Sequence, residues 1–230
     1  MSDSTATTPT GPRITWLLAN VELVVVILLG IVSVATAYTS FQSALYGGQS
    51  SAALAKASVA QTEAESLYLE GNQQYQQDAQ TVIRLAELKI EATSPEPAIA
   101  SIAQQKYDEI YFIAVSEDLD AAIVAADAEN EADPELYTYP LDDEDYQASL
   151  FTDYADKADE ATALSAKGDK DNTSGDRLGL YTALMAITLF LLGIAAVVRR
   201  PKMQWILIAF GMSVFTATAV FTALIPFVWI

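Results

Sequence analysis

Apolar residues are not spread evenly along this chain. They gather into three long stretches, while the middle is polar and helically patterned. A helix needs about 20 mainly apolar residues to cross a bilayer. Three segments meet that length: Ile14–Tyr38, with the run LVVVILLGIVSVATAY; Leu178–Val198, LGLYTALMAITLFLLGIAAVV; and Met203–Ile230. Between the first and second stretches no proline interrupts the chain from Ile14 to Ser94, and the pair Gly47-Gly48 is the expected break. Beyond it, apolar or small residues recur at heptad-like spacing at Leu54, Ala57, Gln61, Ala64, Tyr68, Gly71, Tyr75, Val82 and Leu85. That stripe is poor in large side chains, which favours closely packed antiparallel helices over a free-standing coiled coil. Ser94-Pro95-Glu96-Pro97 is a stop signal.

A second helix is expected over Pro97–Ala126, with Ile99, Ile102, Tyr107, Ile110, Ile113, Leu119 and Ile123 on its apolar side. Residues 127–145, with Pro134, Pro140 and the acidic run Asp142-Asp143-Glu144-Asp145, read as a break. A third helix is expected over Tyr146–Lys167, followed by a turn, GDKDNTSGD, into the second apolar stretch. No strand-type alternation and no internal repeat is visible. The expected fold is an all-α membrane protein: three transmembrane helices plus an extracytoplasmic antiparallel helical bundle inserted between spans 1 and 2.

Charge sharpens the division. The net charge is −18, yet 52% of the residues are hydrophobic. Residues 39–177 hold 28 of the 30 acidic and 8 of the 12 basic residues. The acidity therefore belongs to the middle segment and the apolar bulk to the flanking ones. Arg13, Arg199, Arg200 and Lys202 flank the spans on one side and mark it as cytoplasmic by the positive-inside rule. Lys167, Lys170 and Arg177 weigh less, because long loops translocate largely regardless of charge. Residues 1–13 are then a disordered cytoplasmic tail, 39–177 an acidic extracytoplasmic domain, 199–202 a cytoplasmic turn, and the C-terminus lies outside. Aromatic belts agree, with Trp16 and Trp205 at the inner level and Tyr38, Phe41, Tyr181 and Trp229 at the outer one. Ala35-Thr36-Ala37 has the form of a signal-peptidase site, but the apolar run is too long for a signal peptide, and a retained anchor is expected.

The chain has no cysteine and no histidine. Disulfides, thiolate metal sites, His-ligated haem and His-dependent nucleophilic catalysis are excluded. No Walker, GxSxG or HExxH motif is present, so no catalytic residue and no cofactor is expected. The strongly acidic balance argues against nucleic acid. It also fits a saline medium. Among intramembrane polar groups, Glu22 is the costly one. It could bind a cation or relay a proton; the plainer expectation is a pair with Arg199 or Arg200. Asn20 could bond to a neighbouring helix, and Ser213, Thr216, Thr218 and Thr222 read as helix-packing positions, as do Gly179, Ala183, Ala186, Gly193 and Ala196. Asp169, Asp171, Thr173 and Asp176 alternate like calcium ligands, but position 180 is Leu where such a loop ends on an acid, so a flexible turn is expected. Asp142, Asp143 and Asp145 are weak cation candidates whose default reading is a solvated loop.

Directly after the first span, Tyr38-Thr39-Ser40-Phe41-Gln42-Ser43-Ala44-Leu45-Tyr46-Gly47-Gly48 resembles the signature TAW-S-x-YQ-x-x-x-W-x-G of a family of uncharacterised bacterial three-span membrane proteins. In this chain the aromatics are Tyr38, Phe41 and Tyr46. Ser174–Tyr181 and Leu189–Ile194 resemble the same family's approach to its second span, and Tyr111–Leu119 matches it only loosely. The resemblance implies the same topology and no function. Physically, Phe41, Gln42, Tyr46, Gly47 and Gly48 read as an interface belt with a helix hinge, or as a docking surface for a lipid headgroup or partner subunit. The functional expectation is a non-enzymatic protein acting by protein–protein interaction, as an accessory or scaffold subunit or a homo-oligomer. Its partners would be the bilayer and other membrane subunits or itself. The alternative is a cation-permeation component with an acidic vestibule and Glu22 in the path.

Overall fold

A computed structural model describes residues 21–133, 135 and 137–229. The readings placed on Arg13, Trp16 and Asn20, and on residues 14–20 of the first span, fall outside the described residues. Among the described residues 89% helix and no strand is found. The helices are α1 (Val21–Glu91), α2 (Pro97–Ala114), α3 (Glu117–Ala132), α4 (Glu144–Val197) and α5 (Pro201–Ala223), with a 3-10 turn at Pro140–Asp142. Three of them, α1, α4 and α5, carry a stretch long and apolar enough to cross a membrane.

The chain divides into two units. The first comprises Met1–Leu54 and Ala166–Ile230. Here α1, α4 and α5 bury Val25, Val32, Met185, Leu192, Ala195 and Ile208 against one another. Outside this seam Val26, Val34, Phe190, Phe210 and Phe221 are more than half exposed. In water such a continuous apolar surface would be unstable or adhesive; in hydrocarbon it is the ordinary lipid-facing surface. The seam approaches closely where side chains are small. A Cβ on Gly211 would sit 3.6 Å from Leu191 and 3.7 Å from Thr188, whose hydroxyl donates to the Gly211 carbonyl. The expected packing positions Ala183, Ala186 and Ala196 instead face outward, and a Cβ on Gly193 would meet open space.

The second unit is Ala55–Ser165. Its core gathers Val82, Leu119, Ala122, Leu141 and Tyr146. Where α1 faces α4 the seam is built of small residues: Ala57, Ala60, Ala64 and Gly71 are buried on α1 and Ala161 on α4. Gly71 is required by contact. A Cβ there would fall 2.7 Å from the Leu150 carbonyl oxygen and 2.9 Å from Phe151. Leu54, Gln61 and Tyr68, expected on this stripe, are exposed. Of the expected stripe Ala57, Ala64 and Gly71 are buried, and Ala60 takes the place of Gln61. One buried polar pair crosses the unit: the Tyr146 hydroxyl donates to Asp78 at 2.7 Å, and Gln74 donates to the other Asp78 oxygen at 2.9 Å.

Several boundaries differ from the sequence expectation. α1 runs unbroken through Gly47-Gly48, and both glycines have open space where a Cβ would go. The expected second helix is two helices. Ser116 stops the first and caps α3, its hydroxyl accepting from the Leu119 amide, with Glu117, Asp118 and Asp120 in the first turn, where acids favour a helix N-terminus. The break expected over 127–145 is shorter, since α3 continues to Ala132 and α4 begins at Glu144. The turn expected at 168–176 is helical, so α4 carries the chain from Glu144 to Val197 without a loop. Lys202 belongs to α5, and the third apolar helix ends at Ala223 rather than continuing to the end of the chain.

Candidate functional site

The segment singled out after the first span lies on α1 in the first unit. Helical periodicity turns Thr39, Gln42 and Tyr46 inward while Tyr38 and Phe41 stay about half exposed. What Gln42 and Tyr46 face is the chain's own tail. The Gln42 amide donates to the Val228 carbonyl at 3.2 Å and accepts from the Val228 amide at 3.1 Å. Tyr46 donates to the Pro226 carbonyl at 2.7 Å, and Tyr38 stacks on Phe227 with centroids 6.2 Å apart. The amides of Leu224 and Ile225 still bond back to α5, and beyond them these side chains of α1 supply partners to the backbone of Pro226 and Val228. Gln42 and Tyr46, read from sequence as open to a partner or lipid, are thus occupied within the chain. Only Phe41 of that set offers a free aromatic face.

The same turn of α1 meets α4. Ser43 donates to the Gly175 carbonyl at 2.8 Å, and a Cβ on Gly175 would touch the Ser43 carbonyl and Tyr46 at 3.4 Å. Burial, with Asp171 adding a like charge nearby, pushes the Tyr46 phenol up. One Asp171 carboxylate oxygen is buried with no hydrogen-bond partner. Asp169, Asp171 and Asp176 lie along a helix and not around a loop. Asp143 is the N-cap of α4, accepting from the Tyr146 amide at 2.8 Å, and Glu144 and Asp145 fill the first turn. This acidic run therefore starts a helix. Among the described residues no group of three or more acidic side chains is gathered as a metal cage.

Glu22 and Arg199 line one polar hollow with Gln204, at the N-terminal end of α1 and the C-terminal end of α4. They form no ion pair with each other, and neither does Glu22 with Arg200. Arg199, Arg200 and Lys202 are exposed. Three hydroxyls of α5 are turned to its own backbone, Ser213, Thr216 and Thr218 donating to the carbonyls four residues earlier at 2.8, 2.8 and 2.6 Å, while the Thr222 hydroxyl is buried without a hydrogen-bond partner among the described residues.

A surface that sequence reasoning misassigned lies on α2. Its inner side places Ala103 in the core, with Tyr107 and Ile110 half-buried. Its outer side carries Ile99, Ile102 and Ile113, with Phe112 beside them, and Phe112 is 88% and Ile113 70% exposed. The helix is apolar on two sides, and only one of them is used by the fold. No protein-family model, curated protein or solved structure matches the chain.

Proposed function

We propose that this is a non-enzymatic integral membrane protein that works by protein–protein contact, as an accessory or scaffold subunit or as a homo-oligomer. Residues 39–177 lie on the extracytoplasmic side, and the surface that meets the partner is the outer face of α2. The observation that carries this reading is the set Ile99, Ile102, Phe112 and Ile113, exposed on a unit that holds 25 acidic and 5 basic residues. Exposed Lys106 and Glu109 lie between Ile102 and Ile113 on the same face, so these side chains form two apolar pairs about three turns apart, and their exposure on so charged a surface supports an interaction site. The exposed Arg199, Arg200 and Lys202 between α4 and α5 support a cytoplasmic position for that connection. The pairing of Pro226 and Val228 with Tyr46 and Gln42 supports placing the tail on the same side as the segment after the first span. Cation permeation has less support, since the core shared by the three apolar helices is built of hydrocarbon side chains and the buried hydroxyls of Thr188 and Thr218 bond to backbone carbonyls, which leaves Thr222 as the one α5 threonine without a partner among the described residues.

The chain lacks cysteine, so single cysteines report without background. Phe112→Cys and Ile102→Cys are expected to react with a membrane-impermeant maleimide in intact cells. With a maleimide–benzophenone cross-linker, whose maleimide takes the cysteine thiol and whose excited ketone inserts into a neighbouring C–H bond, they are expected to give one discrete adduct. Gln77→Cys, on an exposed part of α1, is the control. Cross-linking at 102 and 112 no greater than at 77 would refute the contact surface. Reaction only after the cells are opened would refute the orientation.

A further inference from the structure

The second unit contains a hollow of about 440 Å³ that its packing leaves unfilled. Val82, Leu85, Ala86 and Ile90 of α1 form one wall, Ile123 and Ala126 of α3 another, and Tyr107 of α2 and Pro140 close the sides. This volume lies within the range of small-molecule sites, about 300–1,000 Å³, which are mostly apolar with a few placed polar groups. The polar groups around the hollow are already committed except the hydroxyls of Tyr107 and Tyr137, and Tyr137 is 78% exposed and open to water. Lys89 donates to both oxygens of Asp127 at 3.1 Å. Asn130 gives its amide to the Thr138 carbonyl and takes the Thr138 amide, at 3.0 and 2.7 Å, and the Thr138 hydroxyl donates to Glu129. The Tyr107 hydroxyl has no hydrogen-bond partner among the described residues, and its ring is fixed by stacking on Tyr111. Burial raises the Tyr107 phenol, with Lys89 opposing, so it remains a donor across the neutral range.

We propose that this hollow is a binding site for a neutral, mainly hydrocarbon small molecule carrying one hydrogen-bond acceptor, seated against Leu85, Ile90 and Ile123 with its acceptor on the Tyr107 hydroxyl. Neutrality follows from two observations. An anion would enter a unit with a net charge of about −20, which repels it. A cation would compete with Lys89 for Asp127 and leave that ammonium unpaired beside it. The site is separate from the outer face of α2, and its existence does not depend on the protein–protein reading.

The test is photolabelling of the full chain in lipid nanodiscs with benzophenone, which is neutral, apolar and has a single carbonyl acceptor. Labelled residues are mapped by mass spectrometry. Labelling within 82–93, 107 and 123–140 is expected to saturate with probe concentration, whereas labelling of the lipid-facing helices rises in proportion to it. Ala86→Trp, at an exposed position on the rim, is expected to abolish the saturable component with unchanged helical content. Tyr107→Phe is expected to weaken half-saturation about fivefold, the equivalent of one net hydrogen bond. The carboxylate and trimethylammonium derivatives of benzophenone are expected to need at least tenfold more probe. Absence of a saturable component, or its survival in Ala86→Trp, overturns the site. Stronger labelling by either charged derivative overturns the ligand class.

Discussion

Tyr146 and Asp78 form a fully buried polar pair that joins α1 to α4 inside the second unit, and removing either side has a calculable effect. Asp78 is 2% exposed and accepts two hydrogen bonds, from Tyr146 and from Gln74. Tyr146→Phe deletes one donor and leaves that carboxylate with Gln74 alone. A hydrogen bond to a charged group contributes about 1.5–3 kcal/mol, and an orphaned buried charge costs more than a neutral orphan, so a loss of about 2–3 kcal/mol is expected. Asp78→Ala strands the Tyr146 hydroxyl and leaves a small void, at about 2–4 kcal/mol. The double variant removes both partners. Its cost should therefore fall short of the sum of the singles by about 2 kcal/mol. Hydrogen exchange of the full chain in nanodiscs reads this locally. Amides around 74–82 and 146–150 should exchange roughly 30- to 150-fold faster in Tyr146→Phe, while those of 185–195 are unchanged. Strict additivity in the double variant, or acceleration below threefold in Tyr146→Phe, would show that the pair contributes nothing beyond its packing.

Three further outcomes follow from the same geometry. Tyr146 and Tyr111, hydrogen-bonded to Asp78 and Asp120, both hold their protons above the ordinary phenol value of 10.0, through burial first and the carboxylate second. The folded state binds those protons more tightly than the unfolded one, so stability is intact below about pH 10 and falls above it; chemical unfolding followed by circular dichroism should show the fall, and Tyr146→Phe should flatten it. Gln42→Leu should release the end of the tail, raising hydrogen exchange of the Val228 amide at least tenfold with little effect on α5, and an unchanged rate would mean the tail is held by the Tyr46–Pro226 hydrogen bond and the Tyr38–Phe227 stack. Gly47→Ala and Gly48→Ala, with open space at the Cβ, should each stabilise by about 1 kcal/mol through helix propensity, whereas Gly71→Ala should destabilise because the Leu150 carbonyl must move; thermal melts of the three would settle the order.

The membrane-length helices were legible because their signal is one-dimensional: twenty consecutive apolar residues need no knowledge of neighbours. The stop at Ser94-Pro95-Glu96-Pro97 was legible for the same reason, since proline acts locally. The continuity of α4 was not. Gly168, Asp169, Asp171, Asn172 and Gly175 are weak helix formers that read together as a turn. In the structure the glycines are contact residues. Gly168 lies under Leu54 and Gly175 under Ser43 and Tyr46, so packing against α1 offsets poor propensity. Gly47-Gly48 was misread as a break in the same way. The tail contacts were beyond reach for another reason: Gln42 and Val228 are 186 positions apart, and nothing in either neighbourhood announces the other.

The candidate surface shows a deeper limit of pattern reading. Their apolar character and helical spacing place Ile99, Ile102 and Ile113 on the apolar side of the expected helix, and α2 does have a core side. But Ala103, Tyr107 and Ile110 already supply it, and periodicity cannot say which of two apolar sides a fold will use. The answer depends on α3 turning away at Ser116, one residue beyond an Ile-Ala-Val run that suggests continuation. Once the chain turns there, the second apolar side of α2 has no element left in its own unit to cover it. In a unit with 25 acidic residues, polar side chains at 99, 102, 112 and 113 would leave every described core contact intact and improve solubility. Folding therefore gives no reason for isoleucine and phenylalanine at these positions. The proposed protein partner would supply one, because burying such side chains against another protein contributes about 1.5–3 kcal/mol each.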